Sequence, residues 1–185
     1  SAASDVYKRQ APGDREVRRR RNVRRMVAAA VAVPSILVVL IAGLAIGMRR
    51  VSDDPAEWHV DPLTAPTPSS PNSYRVAPVG APIDRDADAP TYAVPVSELA
   101  AAFDAVALGD ERTEVLAGSA DEGFVTYVQR SAFFAFPDYI SVRFIDADPG
   151  STLVVFSRSR FGQSDLGVNE KRVTRWLDDV AAAVG

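Results

Sequence analysis

Residues 157–169, SRSRFGQSDLGVN, gather the side chains best suited to chemistry: two arginines, three serines, an aspartate and an asparagine. If the first four are extended, Arg158 and Arg160 point to one face and Ser157 and Ser159 to the other, with about 7 Å between alternate residues. Two planar guanidinium groups on one surface suit a carboxylate or phosphate. Joined by Arg130 and by the free N–H groups opening a following helix, they make an anion site. An architectural reading fits the same residues. Gly162 and Gly167 permit positive φ, Ser164, Asp165 or Asn169 can cap the helix, and Asp165 can pair an arginine. A third reading makes the corner hydrolase-like through Ser164 or Asp165, but no paired base or second acid is evident at this spacing, so no catalytic residue is assigned. The candidate binding residues are therefore Arg130, Arg158, Arg160, Ser164, Asp165 and Asn169.

The rest of the chain narrows the chemistry further. Its 185 residues contain no cysteine, which excludes disulfides, thiol catalysis and thiolate metal sites. The single histidine, His59, stands in a proline-rich stretch, so a multi-histidine metal site is excluded and a solvated linker histidine is expected. No cofactor or metal pattern is present in the sequence. Residues 1–50 hold 11 Lys+Arg against 3 Asp+Glu, a net +8, whereas residues 51–185 hold 10 against 21, a net −11. Such asymmetry points to two different surroundings.

The corner needs elements to position it. PVSELAAAFDAVALG places Val96, Leu99, Phe103 and Val106 at helical spacing, with Ser97 as the expected N-cap and Gly109 as the stop. TEVLAGS, FVTYVQRSAFF, YISVRFID and STLVVFSRSR are β-branched and aromatic, with SADEG and ADPG marking turns, and predict four strands in an antiparallel meander. NEKRVTRWLDDVAAAV puts Val173, Trp176, Leu177 and Val180 on one helical face, with Lys171, Arg172 and Arg175 on others. The order predicts an α+β two-layer sandwich over residues 91–185, with both helices on one face of a four-stranded sheet. The aromatic run Tyr127, Phe133, Phe134, Phe136 and Tyr139 fits core packing or an apolar groove. Both faces of FVTYV and TLVVF are apolar, so the second face calls for a cover, either the proline-rich segment or a partner.

Upstream, residues 1–10, SAASDVYKRQ, resemble the translation of a sequencing adapter and are set aside, so the native start is expected to be missing. Residues 11–25 form a basic tail. Residues 26–48, MVAAAVAVPSILVVLIAGLAIGM, are uncharged and apolar; at about 1.5 Å per residue they span a hydrocarbon core of about 30 Å with some tilt. A cleaved signal peptide is disfavoured by the length of the run and by Arg49 and Arg50 directly after it. Seven arginines stand in the basic tail before the run and two directly after it, so the tail is expected in the cytoplasm and the bulk outside. The basic tail is read as a topology determinant that attracts anionic lipid, and no nucleic-acid partner is expected. Residues 51–90 carry eight prolines and read as an extended spacer in which regular helix or central strand is not expected.

YVQRSAFFAFPDYISVRF followed by SRSRFGQSDLGVNEKRVTRWL resembles the bacterial envelope family called domain of unknown function 1499. WHVDPLTAPTPSSPNSYRV resembles the segment preceding that domain in members with one amino-terminal membrane helix. The most specific match is the closing R-S-R-x-G-x-S-D-x-G-x-N stretch, carried by Arg158, Ser159, Arg160, Gly162, Ser164, Asp165, Gly167 and Asn169. Many relatives carry a Cys-Asn-Ser stretch where this chain has Pro71, Asn72 and Ser73, so any role of that cysteine is absent here. The resemblance implies no activity, cofactor or catalytic residue. The expectation is a single-pass protein of the bacterial inner membrane with a periplasmic head, acting as a binding or assembly module for an envelope protein or small anionic ligand. The alternative is an envelope enzyme, hydrolase-like, using the same corner.

Overall fold

The computed structural model describes residues 12–185; the adapter-like segment and the first residue of the basic tail lie outside the described residues. Helix α1 (Pro12–Arg49) contains the apolar run, and within its stretch Glu16–Met48 an 18-residue segment with a mean hydropathy of 2.7 and no buried residue is apolar enough to cross a membrane. Pro34 lies inside it and removes one amide donor from the ladder. The Ser35 hydroxyl donates to the Val31 carbonyl at 2.9 Å, one position after the Ala30 carbonyl that the proline leaves without its usual donor. The chain divides into two compact units at Gly47.

The head unit, from Gly47 on, is α+β. Its sheet differs from the expected four-stranded meander: it has six strands in the order β2-β1-β6-β5-β4-β3 and is mixed. The four expected strands are present as β3 (Thr113–Ser119), β4 (Phe124–Arg130), β5 (Pro137–Asp146) and β6 (Ser151–Ser159), paired antiparallel in chain order. The extra two come from the proline-rich segment. Between Pro71 and Pro78 lie five residues that β1 (Ser73–Ala77) uses to pair antiparallel with β6, and β2 (Ala87–Asp88) pairs parallel with β1. Proline density had argued against a strand here. A proline-free window of SYRVA, with an aromatic and a β-branched residue, suffices for one.

Helices α3 (Val96–Gly109) and α4 (Val168–Val184) cover one sheet face; the short turn α2 (Pro55–Trp58) belongs to the segment on the other. Helix α3 begins one residue earlier than its expected cap, with Pro95 in the N-cap position and no side-chain cap bond. The core beneath the helices is aromatic at its centre: Trp176 meets Phe103 edge-on at 5.8 Å and Tyr127 at 6.2 Å. Edge-to-face contacts of this kind add to the burial of large rings. Their polar tips are satisfied, since Tyr127 Oη donates to Asp104 at 2.8 Å and Trp176 Nε1 to Asp110 at 2.9 Å.

The opposite face is covered by residues 51–67. Trp58 stacks on Tyr139 with ring centroids 4.0 Å apart, and His59 stacks on Phe124 at the same distance. His59 Nδ1 lies 2.9 Å from Thr126 Oγ1, so this histidine is packed on the sheet rather than solvated in a linker. Gly118 makes the approach possible: a Cβ there would fall 2.2 Å from the Phe124 carbonyl oxygen and 2.9 Å from the imidazole. The proline-rich segment is thus the cover that the apolar second face required.

Candidate functional site

The six candidate residues fall into two groups on opposite sides of the sheet. Alternation along β6 sends Arg158 toward the proline-rich segment and Ser157 toward α4, as its period of two dictates. Arg158 Nη2 donates to the Trp58 carbonyl at 2.9 Å and to Ser141 Oγ at 3.2 Å. Arg160 Nη1 donates to the Ser52 carbonyl at 2.8 Å and to Tyr139 Oη at 3.2 Å. Arg130 pairs with Asp53 and donates to the carbonyls of Met48 and Ala135, each at 3.1 Å. Tyr139 closes the group by donating to the other Asp53 oxygen at 2.6 Å.

These arginines are occupied by backbone. An irregular, proline-rich chain leaves carbonyls without ladder partners, and a guanidinium with five donors satisfies several at once. Arg75 repeats the device from β1, donating to Ala65 and Asp84 carbonyls at 2.6 and 3.2 Å while its guanidinium lies 3.7 Å from the Phe156 ring centroid. Arg158 sits beyond the same ring and near Trp58, so cations and aromatic rings alternate along this face. Burial, then the neighbouring Arg75, pulls the Arg158 guanidinium down to about 10, which still leaves it charged at neutral pH. Burial, then the bond to Asp53, pushes the Tyr139 phenol up to about 12.

Ser164, Asp165 and Asn169 stand on the helix side. Gly167, with φ of +76°, turns the chain into α4. Asp165 caps that turn: its oxygens accept from the Gly167 and Asn169 amides at 3.0 and 2.8 Å, which suits a carboxylate at a helix N-terminus. It therefore pairs no arginine. Asn169 is fully buried and ties α4 to β6 and to the residue before β1. Its amide nitrogen donates to the Asn72 carbonyl and to Ser159 Oγ, each at 3.0 Å, and its oxygen accepts from Ser157 Oγ at 2.6 Å and Arg172 Nη1 at 2.8 Å. Arg172, expected on an outer face, is buried and pairs with Asp138 at 2.6 Å. Ser164 Oγ accepts from the Leu166 amide at 3.2 Å, and the chain's single histidine lies across the sheet.

The helix N-terminus and the arginines thus do not converge on one anion. What the corner does border is a groove of about 470 Å³ between the proline-rich segment and α4. Thr67, Ser69, Ser73 and Ser164 supply hydroxyls to it, Tyr74 an aromatic ring, and Asp86, Asp165 and Glu170 carboxylates, with no arginine or lysine in the lining. Burial, followed by the nearby Glu170 and Asp86, raises the Tyr74 phenol above its ordinary value. Among the described residues no group of three carboxylates or histidines is placed to hold a metal ion. Tyr74, Asp86 and Glu170 escaped the sequence reading because two of them lie in the proline-rich stretch, about 80 residues from the corner, and only the β1–β6 pairing brings them to it.

Residues 64–180 match the family described as protein of unknown function (DUF1499). No curated protein and no solved structure matches the chain.

Proposed function

The chain belongs to this family of proteins of unknown function, and we propose that it is a membrane-anchored binding module of the bacterial envelope. Helix α1 is the anchor, with the arginine-rich tail in the cytoplasm and the head in the periplasm. The excess of seven arginines in the basic tail over two directly after the apolar run supports that orientation. We further propose that the head binds a hydroxyl-rich ligand, neutral or cationic, in the groove beside the α4 corner.

The observation that carries this reading is the groove's lining, in which hydroxyls, one tyrosine ring and three carboxylates occur without a basic side chain. Hydroxyl and carboxylate oxygens match a ligand rich in O–H and N–H donors, and an aromatic face adds apolar contact. A small anion, the ligand suggested by the arginine spacing, would meet three like charges there. An amino sugar combines hydroxyls with a cation and is the probe of choice. Titration of the detergent-solubilised full chain with a glucosamine oligomer should give measurable binding, weakened about tenfold by Glu170→Gln together with Asp86→Asn. Preference for a phosphorylated sugar over the glucosamine oligomer, or indifference to the two substitutions, would sink the reading.

A further inference from the structure

Seven large apolar side chains of the head are exposed, and their distribution is uneven: Val79 stands apart from Leu108, Val115, Phe133, Phe161, Leu166 and Val168. In the register of the sheet, Arg130 pairs with Pro137 and Asp138 with Ser159, so the 131–136 turn and the 160–168 corner lie at one end. Helix α3 finishes at that end too, since the Arg130 amide donates to the Arg112 carbonyl at 3.1 Å. Val79 follows β1 at the other end, where Val76 pairs with Val155 rather than Arg158.

The end with the exposed apolar residues is also where the chain enters the head. Arg130 Nη1 holds the carbonyls of Met48 and Ala135 at the same 3.1 Å, so the last residue of the apolar run and the aromatic turn share one nitrogen. Arg160, just past the end of β6, holds Ser52. Residues 48–52 follow a run long enough to fill the hydrocarbon core, so chain continuity puts them at the lipid–water boundary. Whatever they are bonded to is there as well.

The turn is built to point outward. Ser131 N donates to the Phe136 carbonyl, Ala135 N to the Ser131 carbonyl and Phe136 N to Ser131 Oγ, all within 3.1 Å. Ala135 takes a left-handed φ of +55° that aims its carbonyl at Arg130. Phe134 stacks on Phe136 at 5.4 Å and Phe136 meets Phe161 at a tilt at 5.9 Å, while Phe133 beside them is 83% exposed. An ordered turn that spends its hydrogen bonds inside itself and leaves a phenyl ring in water has a use for an apolar neighbour.

We propose that the 131–136 turn, with Phe161 and Leu166 of the adjoining corner, is a membrane foot by which the head rests on the outer lipid boundary of the bilayer that α1 crosses. Aromatic and leucine side chains partition to that depth, about 5–10 Å into the headgroup–acyl boundary. Contact there fixes the tilt of the head and presents its groove at a set height. The foot rests on the reading of residues 26–48 as a span. The test keeps the two apart.

The full chain is reconstituted into phosphatidylcholine vesicles with and without bromine on the acyl chains, as the parent, Phe133→Trp and Val79→Trp. Both positions are largely exposed, so neither substitution threatens the fold. Brominated lipid should quench the added fluorescence of Phe133→Trp about twofold more than that of Val79→Trp. Equal quenching of the two overturns the foot and leaves the anchor standing. A blue-shifted but unquenched Phe133→Trp means that a second copy or another protein covers the turn, and also overturns it. Extraction of the parent from the vesicles by alkaline carbonate overturns the anchor, and the foot with it.

Discussion

The two faces of the head's sheet are covered in different ways. Under α3 and α4 the contact is apolar, with Leu99, Phe103, Tyr127, Leu153, Trp176 and Val180 fully buried. Under residues 51–67 it is cationic and aromatic, with Arg75 and Arg158 of the sheet buried among Phe156, Trp58 and Tyr139. The difference follows from what each cover brings. A helix satisfies its own backbone and needs only apolar burial to dock, whereas an irregular proline-rich chain arrives with free carbonyls, each of which is costly to bury unpaired. Arginines on the sheet meet that need without a second carboxylate for every charge, and rings between them accept the cations' faces.

The comparison predicts an order of effects in the full chain in detergent. Trp176→Ala should be the most damaging, by about 3–5 kcal/mol, because a large side chain leaves a cavity that fixed helices cannot fill. Chemical unfolding followed by circular dichroism measures it, and a loss smaller than that from any arginine change would invert the ranking of the faces. Arg158→Gln should cost about 1–3 kcal/mol by leaving the Trp58 carbonyl and Ser141 short of a donor. Its signature is local. Amide exchange should quicken over residues 52–65 while α4 stays protected, and uniform acceleration would show that the segment is no separate layer.

The smallest effect concerns His59. Burial, then Arg143, holds its pKa below the ordinary 6.5, against a raising influence from Glu122. The unfolded chain therefore binds a proton more readily than the folded one. The histidine's contribution to stability is complete above about pH 6.5 and is lost as pH falls through that value toward the folded pKa. Melting between about pH 7.5 and 5 should show this acid loss in the parent and less of it in His59→Phe. An identical pH dependence in the two would remove His59 from the segment's attachment.

Much of the helix-covered face was legible. The four meander strands and both head helices follow from β-branched runs, turn residues and 3.6-residue spacing, which are local signals. So was the split of Arg158 from Ser157, since a strand's period needs only the strand. Arg172 was misjudged although Asn169, Arg172, Trp176 and Val180 keep a spacing of three or four that marks one buried stripe; a polar residue on that stripe looks like an outer one until its partner Asp138 is known. Likewise β1 was hidden, because the prolines around SYRVA outweighed five residues that needed β6 to become a strand.

Chain-local physics decided the apolar run, the charge asymmetry across it, the order of helices and strands, and the alternation that divides the arginines from the serines. Each depends on residues within a few positions of one another. Tertiary structure alone decided which carbonyls the arginines would hold, that Asp165 would cap rather than pair, and that Tyr74, Asp86 and Glu170 would share a groove. Those outcomes join residues up to 108 positions apart, as Arg160 and Ser52 are. Such a pairing is chosen by competition among all the donors that folding brings near a carbonyl, and no stretch of sequence contains the competitors.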